Sequence, residues 1–178
     1  MNSPLIVEAA ARLANQVTLR DISCVEVRAV HLNAPPDSPD LALSWSTPSP
    51  SVFWGLEGAV LKVLIPFVLV IEGIEPNGDA KALPLAEIRV TLRLDYDVRG
   101  ENIQQDLPHF AGISSYMHAW PYFRADVQAL TTKLGFPPLV LPVIVCGHPA
   151  KHVTVRTFEE LKHLAAPPRR RKRSKVGS

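Results

Sequence analysis

Cys146, His148 and His152, together with His163, are the residues of this chain whose types could hold a metal, since thiolate and imidazole are the usual ligands of zinc. Their spacing is irregular and Pro149 falls between them, which fits ordinary loop residues better than a ligand set. No metal is expected. Glu87, Asp95 and Asp97 with Arg89 and Arg93 form a second candidate, an acid-base cluster. They occupy alternate positions of one apolar-polar stretch, so they share the wet face of a strand rather than a cleft. There is no glycine-rich phosphate loop, no nucleophile elbow and no paired metal-binding cysteine motif. Cys24 and Cys146 lie too far apart in sequence to suggest a disulfide framework and read as small core residues. The chain is therefore expected to be neither an enzyme nor a cofactor carrier.

With 178 residues, one ordinary domain is expected over residues 1–166, followed by a basic tail over 167–178 read as disordered. The net charge of +2 conceals an asymmetry: Arg169, Arg170, Arg171, Lys172, Arg173 and Lys175 contribute six positive charges, so the rest carries about −4. An acidic body lacks the basic footprint that nucleic acid requires, which leaves the tail as the only nucleic-acid candidate and makes such a role a secondary reading. The most apolar run, Val63 to Ile71, is interrupted by Pro66 and flanked by Lys62 and Glu72, far short of the ~20 residues that span a bilayer. No membrane insertion is expected. Glu8 and Arg12 close behind Leu5 to Val7 are unlike a signal peptide, so a cytoplasmic location is expected.

Helical spacing of Leu5, Ile6, Ala9, Ala10 and Leu13 predicts a short helix over 4–15. From Val17 to Val30 the apolar residues alternate in three phases, Val17 and Leu19, then Ile22 and Cys24, then Val25, Val27 and Ala29, which predicts a long bulged strand. Asn33 to Ser51 reads as a Pro/Ser-rich loop with a short strand over Leu41 to Trp45. Val60 to Ile74 has the length of a strand, with Pro66 favouring an edge or a bulge. Leu85 to Val98 alternates cleanly, so one sheet face is buried and the other wet.

Leu107, Phe110, Ala111, Ser114 and Met117, after Asp106 as N-cap, predict the covering helix, kinked or broken at Trp120-Pro121 and resuming through Phe123, Val127, Leu130 and Leu134 to a stop at Gly135. Prolines 137, 138 and 142 predict a greasy extended crossover over Phe136 to Val145. Thr157-Phe-Glu-Glu160 is a capping box that starts a short final helix with Phe158, Leu161 and Leu164 on one face. Apolar residues from Phe110 to Leu164 exceed what one half-covered sheet needs, so part of them should line an interface or groove.

The stretch "WPYFRADVQALTTKLGFPPLVLPV" resembles the signature of the SecB export-chaperone family, matched at Pro121, Tyr122, Arg124, Gly135, Phe136, Pro137, Leu141 and Pro142. "LRDIS" (Leu19 to Ser23) and "LAEI" (Leu85 to Ile88) look like two of that family's strands. "AARLANQ" is similar to the SecB-like branch associated with toxin-antitoxin systems, whereas the Arg-rich tail and the Val25-Glu26 register depart from the housekeeping pattern.

The resemblance implies an α+β fold, a four-stranded antiparallel sheet with long helices packed on one face, assembled as a homotetramer, a dimer of dimers. It implies an ATP-independent holdase for unfolded preproteins or an antitoxin, with Asp21, Leu85 and Glu87 matching positions that dock the translocase motor. The client groove is expected between Leu139, Leu141 and Ile144 of the crossover and Phe158, Leu161 and Leu164 of the final helix, with the Trp45 and Trp54 loop as second candidate. A module dedicated to one protein partner is the alternative function.

Overall fold

The computed structural model describes residues 12–13, 15–34, 42–48, 51–74, 82–100, 103–143 and 153–165, the side chains of the last segment through residue 161. Of the helix expected over 4–15, Arg12 and Leu13 are helical, Asn15 is in a turn, and residues 4–11 and 14 lie outside the described residues. Leu13 is buried in the core.

Six strands and two helices follow in the order β1 (Val17–His31), β2 (Ala42–Ser46), β3 (Ser51–Glu57), β4 (Val60–Ile74), β5 (Leu83–Val98), α1 (Leu107–Lys133), β6 (Thr154–Thr157) and α2 (Phe158–Ala165). The sheet runs β1-β5-β4-β3-β6, and β2 pairs with the same strand, β4, as β3 does. The expected α+β class stands, but the four-stranded antiparallel sheet is corrected to six strands, partly parallel. Two local causes account for the difference. The edge beside β4 is split into β2 and β3 by Thr47 and Pro48, because proline cannot donate to a ladder. The C-terminal segment then adds β6 to β3 in parallel, from Ser51↔Thr154 to Trp54↔Thr157.

β1 has the expected bulges, with register shifts between Leu19 and Asp21 and between Cys24 and Glu26. These are the two places where the apolar phase slips. β3 and β4 join in a two-residue hairpin in which Gly58 takes φ +60. On β5, Ala86, Ile88, Val90, Leu92, Leu94 and Tyr96 are buried while Arg89 and Arg93 face solvent, giving one dry and one wet face.

Among the described residues the dry face is covered mainly by one long helix. α1 runs as one helix across Pro121, so of the expected kink or break the break is corrected: proline removes one backbone donor, and the flanking packing keeps the other turns helical. Its buried stripe is Leu107, Phe110, Ala111, Ser115, Tyr116, Ala119, Trp120, Phe123, Val127 and Thr131. In the first half Ser115 and Tyr116 are thus buried where Ser114 and Met117 were expected. Asp106 occupies the N-cap without a side-chain cap bond, since its carboxylate is held by Arg12 at 3.2 Å. At the other end Gly135 (φ +81) donates to Thr132 O and Phe136 donates to Thr131 O, a Schellman stop that leaves the chain pointing back along the helix.

Candidate peptide-binding window

The edge formed by β2 and β3 does not cover β4 completely. β2 pairs with β4 from Ile74 down to Val70, and β3 pairs from Leu64 down to Val60. Ile65 to Leu69 therefore have no partner on that side among the described residues. Pro66 lies within this stretch, so the proline sits in a central strand at the one place where that strand is locally an edge. A window results. Its outer rim is Thr47, Pro48, Ser51, Pro66, Val68 and Arg89; its floor is Phe67 with Tyr116 and Trp120 of α1, and it encloses about 270 Å³.

The floor is aromatic because α1 lays its stripe across β4. The Phe67 ring stacks on Phe123 with centroids 4.4 Å apart and lies 5.4 Å from Tyr116 and 6.2 Å from Trp120. Burial pushes the Tyr116 phenol up to about 12, so it stays neutral and hydrogen-bond capable at physiological pH. An apolar cavity of about 150 Å³ already accommodates benzene, so this space takes one large apolar side chain with room for its backbone. Three larger hollows, of about 620, 560 and 550 Å³, lie towards the β3–β4 hairpin end, the first and last sharing Leu56 and Gln104 and the second lined by Arg20, Asp21, Glu57 and Lys62. None has an aromatic floor backed by unpaired strand.

The crossover is anchored beside the window. Trp120 Nε1 donates to Pro142 O at 2.9 Å, Arg124 Nε donates to Leu141 O at 2.8 Å, and Thr131 Oγ1 accepts the Leu139 N–H at 3.1 Å. The sequence-predicted client residues are thereby separated. Leu141 is buried in the core and Leu139 half-buried along the second half of α1, whereas Phe158 rests on β3 at Gly55, near Leu107. Leu107 and Arg124 lie 17 residues apart on the helix, about 25 Å at 1.5 Å per residue. Phe158 lines the hollow with Trp54, Gly55 and Leu107, which Leu139 and Leu141 do not line, and Leu161 is half-buried. Ile144 and the Leu164 side chain lie outside the described residues, as do Cys146, His148, His152 and the His163 side chain. Outward from the crossover point Val140 and Val143, both about two-thirds exposed.

The expected docking residues do not form one patch either. Leu85 is fully buried, and its carbonyl accepts the N–H groups of Leu32 and Asn33, so its side chain has nothing to offer a partner. Asp21 is opposite Asp95 and Glu87 opposite Val30, eight positions apart along β5, roughly 26 Å. The Arg89 guanidinium donates to Glu87 at 2.6 Å and holds its carboxyl below the usual range. The window itself was missed in sequence because β3 was not anticipated. Its signals were Pro66 in a central strand and the break at Thr47-Pro48.

No family model matches the chain, and no curated protein matches it in sequence. Among solved structures it is similar to the Mycobacterium tuberculosis Rv1957 SecB-like chaperone in complex with a ChAD peptide from the Rv1956 HigA1 antitoxin. The TM-score is 0.61 at 23% identity, over 78% of this chain and 97% of that one. The fold is SecB-like. At this identity the likeness concerns backbone arrangement alone. Among its described residues no helix is long and apolar enough to cross a membrane.

Proposed function

We propose that this chain is a SecB-like, ATP-independent holdase that receives an extended segment of an unfolded polypeptide in the window over β4. The observation that carries this reading is the unpaired stretch Ile65 to Leu69 above the Phe67, Tyr116 and Trp120 floor. An extended segment crossing the gap finds backbone groups to pair with and a greasy well for one side chain, the two components of strand-addition recognition. The solved relative of similar fold holds an antitoxin peptide, which favours a segment of an antitoxin over export preproteins as the partner. The copies associate through the exposed β1 edge, as a dimer within a tetramer, in the cytoplasm.

The experiment is fluorescence anisotropy with a labelled seven-residue peptide of alternating apolar residues carrying one central tryptophan. Val68→Asp, which charges the rim, and Thr47→Trp, which fills the mouth, should each weaken binding at least tenfold while circular dichroism stays unchanged. Undiminished affinity in both variants would exclude the window as the peptide site.

A further inference from the structure

The C-terminal unit of β6 and α2 is seated on the rest of the fold by two knobs over two glycines. A Cβ added at Gly55 of β3 would lie 2.7 Å from Phe158 Cδ2, and one added at Gly112 of α1 would lie 2.7 Å from Val155 Cγ2. Neither glycine has a positive φ, so the missing side chain matters here for close approach alone. Between the knobs, β6 contributes only four residues, all paired with β3. α2 has eight residues, below the length at which a helix is stable by itself, so the two rise or settle together.

This unit adjoins the window. Ser51, the first residue of the β3–β6 ladder, also lines the window, and Tyr116 of the floor is one helical turn beyond Gly112. Ser51 and Gly55 fall on the same face of β3, four residues apart, about 13 Å in an extended strand. A segment that enters the window and continues along β3 would need the backbone groups of Ser51 to Trp54, now used by β6, and the notch at Gly55, now filled by Phe158.

We propose that β6 and α2 are an intramolecular occupant of the far half of the peptide track, a strap that a bound segment displaces. This rests on the window being the peptide site. The segment that fits is extended, longer than the window, and carries two bulky apolar side chains four positions apart, the second taking the place of Phe158 over Gly55. A strap open about one tenth of the time would raise the apparent Kd of such a segment tenfold over its value for the open form.

The test uses two synthetic peptides, the seven-residue one above and a fifteen-residue one with tryptophan and phenylalanine four positions apart. Phe158→Ala and Val155→Ala each remove one knob from the strap and leave the track unchanged, so both should increase hydrogen exchange over residues 153–161. Both should tighten the long peptide about tenfold and leave the short one unchanged. In a Cys24→Ser, Cys146→Ser background, Val52→Cys with Val155→Cys places thiols on residues paired in the ladder. Oxidation should weaken the long peptide at least tenfold, and reduction should restore it. Looser binding by Phe158→Ala and Val155→Ala would make the unit a clamp on the peptide and overturn the strap. Unchanged exchange in both, or long-peptide affinity indifferent to oxidation, would overturn it as well. Failure of the short peptide to bind the unmodified protein would instead remove the window reading beneath it.

Discussion

Thr131, fully buried on α1, accepts the backbone N–H of Leu139 on its hydroxyl oxygen at 3.1 Å while donating to Val127 O at 2.9 Å. A polar residue in the apolar stripe thus ties the returning chain to the helix it has just left. Thr131→Val preserves the shape and strands the Leu139 N–H without a partner, which should destabilise the fold by about 1–3 kcal/mol. Thr131→Ser, which keeps the oxygen, should cost much less. Thermal unfolding of the two variants compares them directly; equal losses would make the methyl, not the hydrogen bond, the important part.

The Tyr96 hydroxyl and His118 Nδ1 are 3.0 Å apart where α1 crosses β5, and burial lowers the affinity of His118 for a proton. Below the ordinary imidazole value of about 6.5, the unfolded chain binds a proton that the folded chain resists. The fold therefore loses stability as the pH falls below that value, until the folded-state imidazole is itself protonated. His118→Gln removes this contribution and leaves the other histidines in place. Its melting temperature should fall less between pH 7.5 and pH 5 than that of the unmodified protein. Parallel curves would mean that His118 titrates alike in both states.

β1 is expected to be the association edge. It is 15 residues long and lies at the end of the sheet. Val27, opposite the fully buried Val90, is half exposed, and Val25, in the bulge, is more so. Long apolar edges template pairing with another chain, and lysine blunts them. Native mass spectrometry should show a tetramer for the unmodified protein and smaller species for Val25→Lys with Val27→Lys. A monomeric unmodified protein, or an unchanged assembly in the variant, would remove this edge from consideration.

How much of this was legible in the sequence depended on whether a residue's fate was set locally. The bulges of β1, the bounds of β4, the capping box at Thr157 and Glu160 and the stop at Gly135 follow from periods and backbone preferences within a few residues. Thr157 N donates to Glu160 at 2.6 Å, as the motif requires. Long-range partners were less visible. β3, with Gly55 inside it, lacks clean alternation, and β6 is only four residues whose β-branched Thr154, Val155 and Thr157 gain a partner far back in the chain. The surroundings of the expected client residues met the same limit: apolar character identified Leu141 and Phe158 as needing cover, but not that Leu141 would enter the core and Phe158 rest half-buried on β3 at Gly55.

The burial of Leu141 decides the last prediction. Leu141, one of the three crossover side chains expected to contact clients, is 1% exposed, so Leu141→Ala should cost about 2–5 kcal/mol through a core cavity. Any loss of peptide binding in it would report unfolding. Val140 and Val143 are the opposite case: exposed 65% and 67%, they flank Pro142, whose carbonyl is held by Trp120 at the window. Val140→Asp with Val143→Asp should leave the melting temperature within about 1 kcal/mol equivalent of the unmodified protein, because surface changes rarely exceed that. If the outward valines extend the apolar rim of the window, the same variant should weaken the seven-residue peptide several-fold and suppress less aggregation of a slow-folding protein. Peptide affinity unchanged at unchanged stability would confine recognition to the window floor and leave the crossover as scaffold.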